Sequence, residues 1–262
     1  MHTDWITPDW PAPANVHAVM TTRAGGVSLA PFNSFNPASH VDDDPAAVAE
    51  NRRLLRQQLP AEPLWLNQVH GVAVTDAVRA SPHPAGCDAA SPPTADASVA
   101  FHPNEVRAVL TADCLPVLFC NQAGTVVAAA HAGWRGLAAG VLEETVRVMR
   151  VPPETILVWL GAAIGPAAFE VGPEVRENFV AQHALAAIAF RPALPGTLDA
   201  APHKWLADIY TLARIRLAQV GVEQVYGGGL CTFNDCTFND FRFFSYRREA
   251  RTGRMASLIW RE

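Results

Sequence analysis

Short apolar runs, separated by turns marked with glycine and proline, make up most of the chain. Runs of this length bounded by breakers read as buried strands. They predict strands at Val16–Thr22, Leu64–Leu66, Val72–Val78, Ala97–Phe101, Val106–Thr111, Val117–Cys120, Val126–Ala130 and Ile156–Leu160. Three more are predicted near the end, at Gln224–Gly227, Phe243–Tyr246 and Ala256–Trp260. Helical spacing appears in four places. Asp44-Pro45 opens one helix, with Asp as N-cap and Pro at the first helical position, and Val48, Leu54, Leu55 and Leu59 as its apolar side. A second runs from Gly136 to just before Pro152-Pro153, carrying Leu137, Val141, Leu142 and Val148. Pro173–Ala184 is the third. Trp205–Val220 is the clearest, with Leu206, Ile209, Leu212, Leu217 and Val220 in register and Gly221 as its stop. Ser81–Thr94 and Arg191–Pro202 read as loops. Strands interspersed with helices, several strands following one another directly, predict a mixed-sheet α/β layer fold over a doubly wound one.

Composition narrows this picture. With 262 residues, half of them hydrophobic, the chain can bury a sizeable core as one domain or as two tightly packed halves. A net charge of −5 and an almost lysine-free sequence, Lys204 being the only one, carry no basic footprint for nucleic acid. Any anion site must therefore use arginine, backbone amides or metal. The five cysteines, Cys87, Cys114, Cys120, Cys231 and Cys236, are odd in number and scattered, which argues against a disulfide framework. The N-terminal residues form no signal peptide, and no apolar run reaches membrane length. A reduced, cytoplasmic protein is expected, as a monomer or homodimer. Cys231-Thr232-Phe233-Asn234-Asp235 is repeated at once as Cys236-Thr237-Phe238-Asn239-Asp240, a short duplication that makes no solenoid.

The candidate chemistry sits where strands run out. His70, Cys114 and His131 each precede or follow such a point, beside Gly71, Leu115-Pro116 and Gly133. Two imidazoles and a thiolate suit a catalytic zinc that keeps a fourth position open. Each residue alone has an ordinary alternative, a buried small thiol or a histidine satisfied within the fold. No HExxH, GxxxxGK[ST] or GxSxG occurs, and the His-x-Glu with Pro-Cys-x-x-Cys of zinc deaminases is missing. Nine histidines with no His-x-His pair weigh against a multicopper oxidase. Arg23, Arg52, Arg135, Arg247 and Arg248 are anion-binding candidates. Arg23 leads because it adjoins the amides of Gly25-Gly26, and Arg135 lies ahead of a helix start.

Six motifs in order carry a resemblance. They are Met20–Ser28, Asn67-Gln68-Val69-His70-Gly71, Thr111–Pro116, His131-Ala132-Gly133-Trp134-Arg135-Gly136, Gly161–Pro166 and Phe243–Arg248. Together they resemble the YfiH family, also known as laccase-domain protein, polyphenol oxidase, peptidoglycan editing factor and purine nucleoside phosphorylase. One departure is Ser34-Phe35-Asn36-Pro37-Ala38, where the family reads Ser-Leu-Asn-Leu-Gly. The resemblance implies a four-layer α-β-β-α sandwich with mixed sheets, a single catalytic domain over 1–262, and zinc on His70, Cys114 and His131. It implies phosphorolysis of adenosine, inosine, guanosine and methylthioadenosine, and deamination of adenosine. On that reading Cys114, His131 and Asp113 serve catalysis, Asp113 also standing behind the metal, and Arg23, Arg52, Gln68 and Arg135 bind nucleoside and phosphate. The rivals are a copper (Cu2+) phenol oxidase, a metal-free hydrolase of peptidoglycan precursors with Cys114 as nucleophile and His131 as base, and a non-enzymatic zinc-stabilised binding module.

Overall fold

The computed structural model describes residues 4–76, 91–193, 204–237 and 240–262. The first half contains strands β1 (Val16–Met20), β2 (Val74–Thr75), β3 (Ala97–Ala100), β4 (Arg107–Thr111), β5 (Leu115–Asn121) and β6 (Val127–Ala132). The second contains β7 (Ile156–Leu160), β8 (Glu170–Val171), β9 (Phe190–Pro192), β10 (Trp205–Ala207), β11 (Gln224–Gly227), β12 (Cys236–Thr237), β13 (Asp240–Phe241) and β14 (Met255–Arg261). The helices are α1 (Pro45–Arg56), α2 (Trp134–Ala139), α3 (Val141–Met149), α4 (Pro173–Gln182) and α5 (Ile209–Gln219).

A six-stranded mixed sheet in the order β11-β7-β5-β6-β3-β2 forms the centre. Its outer pairs, β11 with β7 and β2 with β3, are parallel, and the inner ladders are antiparallel. Both faces are covered, so β5 is buried at every residue and reads as one apolar run. The pleat splits that run. Val117 and Phe119 face the helical layer with Leu137, Val141 and Leu142. Leu118 and Cys120 face the antiparallel sheet β1-β14-β4 through Met20, Val109 and Ile259. The outer face of that smaller sheet, with Val19, Leu110 and Leu258, packs against Leu55 of α1. The layers are therefore α-β-β-α, a mixed α+β sandwich, as expected.

Several local expectations change. The helix expected from Gly136 is two helices, because Gly140 takes a left-handed φ of 104° that ends α2 and begins α3. The helix expected from Trp205 starts later, since Trp205–Ala207 pairs with β8 and β9. Asp208 then caps α5, accepting from the amides of Tyr210 and Thr211 at 3.0 and 3.1 Å. Leu64–Leu66 makes only an isolated bridge at Leu64. Beyond it, the Gln68 side chain takes the place of a strand neighbour, donating to the Leu110 carbonyl at 2.9 Å and accepting its amide at 2.8 Å. Phe243–Tyr246 is not a strand. Phe243 and Phe244 fill the space between the sheets, and their backbone bonds go to the Arg248 guanidinium and Met255 Sδ. The predicted loop at Ser81–Thr94 and Cys87 lie largely outside the described residues, as do positions 194–202. No helix among the described residues is long and apolar enough to cross a membrane.

Candidate metal centre and its cleft

Sheet register assembles the site from distant positions. β5 pairs with β6 so that Leu115 faces Ala132, and the next step along the ladder sets Cys114 beside Gly133. β3 pairs with β6 so that Ala97 faces Ala130, which brings Asp96 level with His131. The His131 amide donates to the Asp96 carbonyl at 2.7 Å. β2 runs parallel to β3 and delivers the 69–71 turn to the same end of the sheet. As a result one ligand atom each from His70, Cys114 and His131 lies within 4.8 Å of the others, a group that can hold a metal ion. Cys114 Sγ is 3.7 Å from His70 Nε2, and the two imidazoles meet edge to face at 4.7 Å. Gly133 permits the approach. A Cβ there would stand 2.7 Å from His70 Cδ2 and 3.0 Å from Cys114 Sγ.

Asp96 organises these ligands, and sequence reading missed it. Its side chain is fully buried. One oxygen accepts from His131 Nδ1 at 2.8 Å and the His70 amide at 2.9 Å. The other accepts from the amides of Val69 and Gly71 at 3.2 and 2.6 Å. The turn needs this support, because His70 itself has a positive φ of 60°. Engaging Nδ1 leaves Nε2 of His131 for a metal, a common way to orient a histidine ligand. Burial pushes the Asp96 carboxyl up, but the bonds from His131, Gly71 and Val69 outweigh it and hold it below the usual carboxylate range. The signal in the sequence was a carboxylate immediately before the largely apolar strand Ala97–Ala100.

Burial raises the Cys114 thiol, yet the neighbouring His131 and His70 bring it down to about 6. Burial lowers His131, but the Cys114 and Asp96 charges push it up to about 9. The pair favours thiolate beside imidazolium, and a soft divalent ion takes the thiolate and the imidazole left when that proton is displaced. Cys120 behaves oppositely: burial in the sheet interface pushes it up to about 12, an inert thiol. Cys114, Cys120 and Cys231 are all free of disulfides.

These ligands open into a cleft of about 510 Å³. Trp134, Phe169 and Tyr246 supply aromatic walls, and Arg135, Arg247 and Arg254 line it. Arg135 stacks on Trp134 at 4.5 Å. Gln68 also lines the cleft, with its amide engaged on Leu110. Asp113 lies in the wall at a positive φ of 86°, but its carboxylate faces two loops, accepting from Thr232 Oγ1 and the Arg247 amide at 2.6 Å each. The carboxylate behind His131 is thus Asp96, correcting the expected place of Asp113. Thr232 belongs to the first copy of the duplicated pentapeptide, whose Cys231 Sγ accepts from the Gly165 amide at 3.2 Å. The second copy carries β12 and β13.

Two expected anion binders fall elsewhere. Arg23 is not among the cleft residues. It donates to the Asn33 carbonyl at 3.0 Å, pairs with Glu249 at 3.4 Å and covers Phe244. The amides of the adjoining turn are also engaged, Gly26 with Ser34 Oγ and Val27 with Asn51 Oδ1. Arg52 donates to the Pro37 carbonyl at 2.8 Å and lies over Trp65. Conversely, His40 and Arg254 line the cleft although the sequence did not single them out.

The family model described as multi-copper polyphenol oxidoreductase laccase matches residues 17–262. The chain belongs to this family. It is the YfiH family of the sequence motifs, and relatives carry that name. A purine nucleoside phosphorylase of Pseudomonas aeruginosa is 57% identical over 98% of each chain. Purine nucleoside phosphorylase YfiH of Escherichia coli is 54% identical, covering 97% of this chain and 98% of its own. Among solved structures, a Neisseria meningitidis protein superposes with a TM-score of 0.87 at 48% identity, covering 99% of this chain and all of its own. YlmD from Geobacillus stearothermophilus gives 0.83 at 28% identity, over 100% and 97%.

Proposed function

We propose that this protein is a zinc-dependent purine nucleoside phosphorylase, working in the cytoplasm as one catalytic domain over residues 1–262. Its proposed substrates are adenosine, inosine, guanosine and methylthioadenosine, with deamination of adenosine as a side activity. The observation that carries the reading is a His70-Cys114-His131 donor set opening into a cleft of nucleoside size with aromatic walls. Relatives more than half identical along nearly their whole length are named for that activity. A zinc ion on these three ligands supplies Lewis acidity beside the cleft. Trp134, Phe169 and Tyr246 offer faces on which a purine can stack. Asp113 ties the cleft loops together, and Gln68 holds the His70 segment against β4.

Copper is the rival favoured by the family description. A blue-copper site adds a weak axial ligand, commonly Met, to two histidines and a cysteine. Among the described residues no methionine lines this cleft, the Gln68 amide is engaged on Leu110, and there is one ligand cluster only. A cysteine hydrolase is the rival favoured by the thiolate–imidazolium pair. One experiment separates them. Zinc-loaded protein incubated with adenosine and phosphate is expected to release adenine and ribose 1-phosphate. A chelator should stop the reaction and zinc restore it. Turnover that ignores the chelator points to the hydrolase, restoration by copper alone to the oxidase, and no turnover of any nucleoside sinks the enzymatic reading.

The close approach at Gly133 gives a second test. Its φ of −64° and ψ of 156° suit any residue, so Gly133→Ala should leave the fold intact. The added methyl must displace His70 or Cys114. Zinc affinity, measured by chelator competition, is expected to fall about tenfold or more. An unchanged affinity would mean that the ligands adjust freely.

A further inference from the structure

We propose that Arg254 and Arg135, with His40 beside them, form the subsite that binds the phosphate co-substrate in the metal cleft. The inference rests on the phosphorylase reading and replaces Arg23 and Arg52 as the anion contacts.

Charge in the cleft is unbalanced. The cleft is lined by three arginines, and its single carboxylate is Asp113. Both Asp113 oxygens are already engaged by Thr232 and the Arg247 amide. Among the described residues, none of the three guanidiniums pairs with a carboxylate. Arg247 is spent on the Ala168 and Glu170 carbonyls. Among the described residues Arg135 only stacks on Trp134. Among the described residues Arg254 donates through Nη1 alone, to the Thr252 and Gly253 carbonyls at 2.8 and 3.0 Å, which leaves Nε and Nη2 without an acceptor among them. Elsewhere arginines of this chain do find acids, as Arg23 finds Glu249, Arg53 finds Glu50 and Arg147 finds Glu144. A partly buried cation left without a counter-charge is costly, and a planar fork with two free donors matches two oxygens of a tetrahedral dianion.

Arg254 is also held rigidly. It directly precedes β14, and its amide donates to the buried Asn36 Oδ1 at 3.0 Å. Gly253 before it packs so tightly that a Cβ would stand 2.7 Å from the Phe244 ring. Such support fixes a binding group without a cost in ordering. The site is adjacent to the metal ligands: the Cys114 and Asp113 charges act on Arg254, while burial lowers its affinity for the proton. Burial disfavours charge on His40 as well, and Arg254, Arg52 and His131 add to that, which marks this wall as positive. An anion bound here would share the cleft with a nucleoside whose base stacks on the aromatic walls.

The test is direct binding of inorganic phosphate to zinc-loaded protein by calorimetry, with sulfate as competitor, for wild type, Arg254→Gln, Arg135→Gln and the outside control Arg23→Gln. Both cleft variants are expected to bind phosphate about 10- to 100-fold more weakly, with zinc content and melting temperature retained. Arg23→Gln should bind as wild type does. If Arg254→Gln does not fold, Arg135→Gln decides, since among the described residues its side chain has only the stacking contact on Trp134 to lose. Undiminished phosphate affinity in the cleft variants, or a loss only in Arg23→Gln, overturns the subsite. The underlying reading is checked separately by inosine binding. If inosine binds while phosphate does not bind wild type, the subsite fails and the nucleoside site stands. If phosphate binds through Arg254 and no nucleoside does, the subsite stands and the phosphorylase reading fails.

Discussion

Asp96→Asn is expected to weaken zinc binding by about 10- to 100-fold, the usual cost of losing the partner that orients a histidine ligand. The substitution is nearly isosteric, so the effect comes from hydrogen bonding. Four donors converge on the two Asp96 oxygens: His131 Nδ1 and the amides of Val69, His70 and Gly71. Asparagine offers one acceptor oxygen and an amino group, so two of the four donors would face a donor in a fully buried position. Each unsatisfied buried group costs about 1–3 kcal/mol. For a chain of this size that converts to a fall in melting temperature of roughly 5–15 °C. His131 also loses the charge that favours its Nδ1–H form, so its Nε2 is no longer reliably presented to a metal. Zinc affinity by chelator competition and the melting temperature of metal-free protein should be read together. A lowered melting temperature with unchanged zinc affinity would reduce Asp96 to a brace for the 69–71 turn.

Cys114→Ala is expected to abolish stoichiometric zinc and all phosphorolysis. The thiolate is the single anionic donor of the set, and two imidazoles alone hold a divalent ion weakly. A loss of affinity of at least roughly a hundredfold is expected, as several kcal/mol of binding energy reside in such a ligand. The fold should survive. Cys114 is only partly buried in the turn ahead of β5, and it makes no backbone-supporting side-chain bond. Metal content by mass spectrometry and the melting temperature check both halves. Retention of one zinc per chain would exclude this ligand set. Full loss of activity with zinc retained would favour Cys114 as a nucleophile.

The ligands and most of the central strands were legible in the sequence for one reason: both depend on local signals, whereas the four-layer arrangement came from the family resemblance. Apolar runs bounded by breakers marked β3 to β7, because strands covered on both faces have no polar side to confuse the pattern. His70, Cys114 and His131 stood out as reactive side chains beside glycine or proline at strand ends. The Asp44-Pro45 cap placed the start of α1, although Leu59, counted on its apolar side, lies beyond its end at Arg56. Where a helix was expected from Trp205, a strand won because β8 and β9 offered ladder partners that periodicity cannot foresee. Gly140 divided the α2–α3 segment for a similar reason, since tolerance of positive φ is visible in a sequence and its use is not.

Everything that depended on register was decided only in three dimensions. Asp96 is 35 residues from His131 in sequence and 26 from His70, and only the β3–β6 ladder with the parallel β2–β3 pair makes it their common partner. The arginines were sorted the same way. Arg23 looked like the anion contact because it adjoins Gly25-Gly26, yet folding gave it Glu249, Asn33 and Phe244 and gave the turn amides to Ser34 and Asn51. Arg254 carried no local signal, but β14 delivers it to the cleft wall without a carboxylate partner among the described residues. A sequence states which groups can do chemistry, through residue type and local conformation. Which of them are engaged and which are left free depends on long-range pairing, because a charge is satisfied by whatever the fold brings within about 3 Å of it.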